Sequence, residues 1–457
     1  MQQYLTIWDL VLAPIYLALI IFFAKRHRDR RYPVGHPLRP YYLPGLYAKL
    51  GGAIFIGLIY QYYYGGGDTF NYFAHARIIN SSLNDSFSTW FDLIRQVSPD
   101  RNPHIYQYSS QMEWYGSDAT YSVAVITALL GLFNGTAYMP IALLFAWISY
   151  SGIWAMYRTF TRIYPGLEKQ LAIAFLFIPS VVVWGSSIFK DTVCMFGLGW
   201  MVYCTFRVFV NRDFSLKNIF LLVLGFYLVA VIKVYILLAF LPALSLWLLM
   251  TYSHRISSAG LRWMMNILFV GVVGAGFMYF ADEFAKELNR YSLEKIAQTA
   301  QSTRGWIYYS SGDEGSAYSL GDFSPTIGGM LSKFPAAVVV TLYRPFLWEA
   351  KKIIIFLSAL EALIFLYFTL KLIAVQKTRL ISIVGKDPTL MFCLVFSIIF
   401  AFAVGISSYN FGALSRYKIP CLPFYAAFLV VCLNYSKLKL VNKKPTVTST
   451  VKKPAFV

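Results

Sequence analysis

Charge is scarce in this chain. Only 13% of its 457 residues are Asp, Glu, Lys or Arg, about half of what a soluble domain carries. Acid is scarcer than base, 21 residues against 40, for a formal net charge of +19. Cysteine is limited to Cys194, Cys204, Cys393, Cys421 and Cys432, all within apolar stretches and none in a CxxC pair. That argues against a disulfide framework and a thiolate zinc site. The five histidines are scattered, so no His cluster for a metal is legible. No GxxxxGK[ST] phosphate loop occurs, which disfavours ATP-driven transport by this chain alone. Nor is an internal repeat detectable, which disfavours a transporter built from duplicated halves.

What the chain has instead is apolar bulk: 58% hydrophobic and 18% aromatic residues, with a mean hydropathy of +0.56. A membrane-crossing helix needs about 20 apolar residues and satisfies its own backbone hydrogen bonds, which lipid cannot do. Such runs recur near 7–24, 46–64, 119–134, 136–157, 171–188, 192–210, 217–233, 235–252, 261–280, 353–373, 388–406 and 420–435. The stretch 119–134 is short and abuts its neighbour, so it is read as a short or re-entrant helix. The expected fold is an all-α polytopic bundle of about eleven crossings plus that helix. Residues 1–436 form one transmembrane domain, and 437–457 form a basic tail expected to be disordered.

The positive charge is distributed by topology. The cluster Lys25-Arg26-His27-Arg28-Asp29-Arg30-Arg31 follows the first run, which places it in the cytoplasm by the positive-inside rule and the N-terminus outside. A reverse anchor fits that order better than a cleaved signal peptide. With this parity the cytoplasmic segments hold 24 Lys and Arg against 4 Asp and Glu, whereas the outside segments hold 15 against 16. The basicity therefore reports orientation and a contact with anionic lipid. No nucleic-acid partner is needed.

Two outside loops are long, about 65–118 and 281–352. In the first, Phe87, Trp90, Phe91 and Ile94 recur at helical spacing and predict a short surface helix. The second opens with Phe284, Leu288 and Tyr291 in a helical pattern and turns Gly/Ser-rich through Ser310–Ser316. Loops of this length are usually functional or disordered.

Polar residues at the outside turns are the candidate site. Tyr62-Tyr63-Tyr64-Gly65-Gly66-Gly67-Asp68-Thr69-Phe70-Asn71-Tyr72 falls where the second helix leaves the membrane. Its glycines allow close backbone approach, and Asp68 there can act as general base or hold a divalent cation. The plainer alternative is a glycine turn with Asp68 as a helix cap and the tyrosines as an interfacial belt. The segment Pro179 to Asp191 ends in Lys190 and Asp191, and Lys233 marks the next outside turn. These are candidate phosphate contacts, or a snorkelling lysine and a cap. Arg290, Arg304, Arg344 and Glu349 belong to the large loop. An arginine fork suits phosphate, although Arg344 and Glu349 could simply pair beside Trp348. Asn410 to Pro420 carries Arg416 and Lys418 on the side disfavoured for cations, for which an anion is the simplest reason. Glu361 sits in mid-helix, where it serves a site or a neighbouring helix. One carboxylate among several cations is what transfer from a lipid-phosphate donor requires.

This layout resembles the GT-C superfamily of multi-spanning glycosyltransferases, with its EpsG-like and polysaccharide-polymerase-like bacterial relatives. The resemblance rests on Gly67-Asp68 in the first large loop, the Pro179–Asp191 helix end and the Gly412-to-Pro420 segment before the last helix. It departs in one extra helix before the acidic loop and in the lack of a soluble C-terminal domain. The resemblance implies a bacterial inner-membrane enzyme that moves a sugar from a polyprenyl-phosphate carrier to a glycan, lipid or protein outside the cytoplasm. Asp68 would be the catalytic residue, with Mg or Mn as an optional partner. Lys190, Asp191, Lys233, Arg304, Arg344, Glu349, Arg416 and Lys418 would line the substrate. The rival expectations are a polysaccharide polymerase or ligase, and a transporter or flippase of an anionic lipid-linked glycan.

Overall fold

The computed structural model describes residues 4–134, 137–253, 258, 264, 317–321 and 327–438. Their regular structure is helical, apart from one isolated bridge between Ala317 and Asn410. Among the described residues seven helices are long and apolar enough to cross a membrane, or up to eight if the bent pair Phe411–Tyr417 and Leu422–Leu433 is one span. The chain is a multi-pass helical membrane protein. The count falls short of the expected eleven for local reasons.

Helix α1 (Ile7–Arg31) and helix α7 (Tyr138–Ile163) start at the same end of the bundle. Asp9 joins them: its carboxylate accepts from the Thr6 N–H at 2.8 Å and from the Met139 N–H at 2.6 Å. A carboxylate at two helix N-termini satisfies orphan amides and favours both dipoles. Helix α2 (Arg39–Ile59) runs the other way, with Gly57 against Tyr138 and Met139 and Gly45 against Tyr150. It winds into a π-turn at Tyr60–Tyr64 and ends at Gly65. Helix α3 (Asp68–Ser81) starts after the three glycines.

The 65–118 loop is folded. Helix α4 (Phe87–Ile94) forms as its spacing predicts, with Trp90 and Leu93 buried and Phe87 and Phe91 exposed. Trp90, Ile79, Ile105, Tyr108 and Tyr121 pack into a small core of their own. Helix α5 (Tyr106–Ser109) is a single turn, and helix α6 (Asp118–Gly131) is too short to cross. Thr120 near the start of α6 meets Lys190, and Tyr138 at the start of α7 meets Thr69. Both ends of the 118–138 stretch therefore sit at the Asp68 end of the bundle, as expected for a short, non-crossing helix.

The 171–188 run is broken into α8 (Glu168–Leu176) and α9 (Pro179–Trp184). The break exposes backbone groups inside the bundle, and two buried charges cap them. Glu361 accepts from the Ser180 N–H and the Ser180 hydroxyl, each at 2.8 Å. Lys49 donates to the carbonyls of Val181 and Gly185 at 2.9 and 2.6 Å. Carboxylate at the N-terminus and ammonium at the C-terminus is the order the helix dipole favours, and broken helix at depth requires such partners.

Helix α10 (Lys190–Thr205) packs against α7 at Gly152 and Gly199, and against α11 (Leu216–Ser253) at Gly197 and Gly225. Small residues let helix backbones approach this closely. The 38-residue α11 is not straight: Lys233 leaves the helical region at φ −148°, ψ 72°. Lys233 meets Asp191 near the start of α10, while Tyr252 donates to the carbonyl of Phe209 beyond its end. Helix α11 therefore folds back at Lys233, and its limbs match the expected runs 217–233 and 235–252. The second limb packs on the Pro388–Ser408 helix, Tyr235 against Phe400, Phe240 against Phe396 and Trp247 against Thr389. The expected run 261–280, the pattern Phe284, Leu288, Tyr291, the Ser310–Ser316 stretch and the tail beyond Leu438 lie outside the described residues.

Candidate functional site

The approach to Asp68 is dictated by glycine. Gly65, Gly66 and Gly67 all have positive φ, at 69°, 150° and 124°. A Cβ on Gly67 would come within 2.8 Å of the Tyr60 ring. L side chains avoid that backbone region, so the sharp exit from the π-turn depends on glycine. Thr69 is then pinned by a buried hydroxyl chain, to Tyr138 at 2.7 Å and onward to Ser187 at 2.9 Å. Asp68 is held at the head of α3 with half of its side chain exposed (54%).

Four ionisable side chains from four parts of the sequence meet there. Arg416 donates through Nη1 to Asp68 Oδ2 and through Nε to Asp191 Oδ2, both at 2.7 Å. Lys233 donates to Asp191 Oδ1 at 2.5 Å. Asp191 is fully buried, and its two oxygens are shared between the two cations. Arg416 lies 4.3 Å over the Phe189 ring, and Lys233 lies 4.7 Å over that of Tyr417. A buried carboxylate is tolerable only when paired and bonded in this way. Asp68 uses one oxygen in the network; its Oδ1 has no protein partner among the described residues. Lys190 stands beside the group, donating to Thr120 Oγ1 at 2.7 Å.

The sequence candidates thus divide. Asp68, Lys190, Asp191, Lys233 and Arg416 come together. Arg344 and Glu349 form a pair of their own, with Arg344 Nε 3.0 Å from Glu349 Oε2, and Arg344 packs over Tyr318, Phe346 and Phe411. Burial works against the Glu349 carboxylate, but the Arg344 bonds and the Phe346 N–H hold it below the usual range. Lys418 is not at a surface turn: it is fully buried, and its ammonium has no hydrogen-bond partner among the described residues. It caps the short Phe411–Tyr417 helix, two positions on from Arg416, and lies within electrostatic reach of Glu361. Arg290 and Arg304 lie outside the described residues.

Two contributors were not legible in the sequence as site residues. Asp9 carried a signal in Thr6-x-x-Asp9, a capping pattern. Thr120 carried none.

The donor set suits an anion better than a metal. Asp68 and Asp191 turn to the same guanidinium, and the cations Arg416, Lys233 and Lys190 outnumber them. Among the described residues no group of three or more His, Cys, Asp and Glu side chains is placed to hold a metal ion. A divalent cation at Asp68 would find there one carboxylate oxygen without a partner among the described residues, Oδ1.

Comparison with known protein families, with characterised proteins and with solved structures finds no match to this chain.

Proposed function

We propose that the chain is a glycosyltransferase that moves a sugar from a polyprenyl-phosphate donor to an acceptor hydroxyl on a glycan, lipid or protein. The observation that carries this is the Asp68–Arg416–Asp191–Lys233 network, which ends in one half-exposed carboxylate beside a surplus of cations. In the proposed reaction the acceptor hydroxyl attacks the anomeric carbon and a new C–O bond forms. The bond from that carbon to the phosphate oxygen breaks, and its electron pair leaves with the phosphate. Asp68 takes the hydroxyl proton through Oδ1. Arg416, whose Nη2 has no partner among the described residues, and Lys190 meet the charge that grows on the phosphate. Donors aimed at developing charge in a site away from bulk water are the strongest catalytic device a protein has. The GT-C-like layout of the sequence points the same way, and its charge asymmetry favours an extracytoplasmic site in a bacterial inner membrane, N-terminus outside and C-terminus cytoplasmic.

The test is the profile of surface and lipid-linked glycans, by mass spectrometry, in cells carrying wild type or Asp68→Asn at matched expression. Chains shortened by one sugar support the reading. Intact single repeats without long chains replace it with a polymerase, and an unchanged profile removes Asp68 from the chemistry.

A second reading, movement of an anionic lipid-linked glycan across the membrane, draws on the broken α8–α9 segment and on the buried Lys418, whose ammonium bonds nothing among the described residues. Broken helices at depth are where carriers bind their cargo. Here Lys49 and Glu361 are already committed to capping α9, which leaves that path short of charge.

A further inference from the structure

One polar group beside the network has no place in it. Tyr72 follows Asp68 by one turn of α3, so the two project from the same helix face. Its side chain is buried, 4% exposed, and it stands within electrostatic reach of Asp68, Arg416, Asp191 and Lys233. Yet its hydroxyl makes no hydrogen bond to any described residue. The hydroxyl is not one of the fully buried unbonded polar atoms, so it keeps access to solvent, and a tyrosine this buried normally finds a partner for its O–H. The four charges pair with one another, and none of them bonds it.

Resting on the proposed function, we infer that the Tyr72 hydroxyl is a phosphate-binding donor, supplying a neutral hydrogen bond to the oxyanion that Arg416 and Lys190 attract. Phosphate is the class this position fits. The neighbouring cations neutralise its charge, and a phenol adds a directed bond without adding to a site already rich in positive charge. Burial, followed by the nearby Asp68, pushes the Tyr72 phenol above its usual value. It therefore stays protonated, and a donor, across the physiological range.

The experiment compares wild type with Tyr72→Phe in lipid nanodiscs. It measures binding of a polyprenyl monophosphate by native mass spectrometry and the thermal transition of each protein. The hydroxyl bonds no described residue, so its removal should leave the transition unchanged or slightly higher while weakening the phosphate lipid about 10- to 100-fold. Equal affinity in the two proteins overturns the role of Tyr72, and so does a lower transition in the variant, which would expose a structural bond. Failure of the wild type itself to bind the lipid overturns the proposed function, a result distinct from either.

Discussion

Asp191 and Arg416 stand 225 positions apart in the sequence and meet side chain to side chain at 2.7 Å, with the carboxylate fully buried. Through this contact the head of α10 and the short helix before the last span become one wall of the site. Arg416 then reaches Asp68 through Nη1. The half-exposed carboxylate is thus oriented by a buried one.

That arrangement makes Asp191 a structural hub. Asp191→Ala leaves Arg416 and Lys233 as uncompensated charges, and breaking one side of a buried pair costs about 3–5 kcal/mol. The thermal transition of the purified variant should fall sharply. A transition unchanged from wild type would mean that the pairing carries no stability.

Asp68→Asn should behave in the opposite manner. Its pair with Arg416 is half exposed, and such pairs contribute only about 0–1 kcal/mol. The variant should melt close to wild type and lose sugar transfer by about 100- to 10,000-fold, the range for a positioned base. Transfer assayed beside a thermal melt separates the two effects.

The buried charges at the broken helix should also separate. Glu361→Gln and Lys49→Met each strip a cap from α9 and should lower the transition by about 1–3 kcal/mol. Lys418→Met removes an ammonium that bonds nothing among the described residues and should be neutral or stabilising. Destabilisation by Lys418→Met comparable to that of Glu361→Gln would show that the ammonium is held by a group it was thought to lack.

His75, on α3 within the 65–118 segment, is buried, and burial pushes its imidazole below the usual range. A lowered folded pKa means that the unfolded chain takes up the proton first. The stability His75 contributes is therefore present above the unfolded value, about 6.5, and is lost as pH falls through the folded one. Melts at about pH 7.5 and about pH 5.5 should show a larger acid loss in wild type than in His75→Phe. Equal losses would place the acid sensitivity elsewhere.

Much of the site was legible as separate signals. Asp68 followed from three glycines at a helix exit, and Lys190, Asp191, Lys233 and Arg416 from charges pressed between apolar runs. Their meeting was not legible, because helix order in a bundle is set by packing, here by the close approach of Gly197 to Gly225. The 171–188 run looked like one helix because hydropathy does not register a break whose backbone is capped from elsewhere, by Lys49 and Glu361. Lys418 looked like a surface cation because the turn of the short Phe411–Tyr417 helix decides which way it points. The Leu216–Ser253 reversal was legible, since a lone lysine between two apolar runs marked the turn.

The most direct test of the central claim is release of free polyprenyl monophosphate by the purified protein. Protein in nanodiscs would be supplied with a total lipid-linked sugar extract and an acceptor fraction from its host cells, so that the sugar need not be known. The account predicts release by wild type and its loss in Asp68→Asn, with both proteins folded. Equal release from the two, or none from wild type, would contradict it.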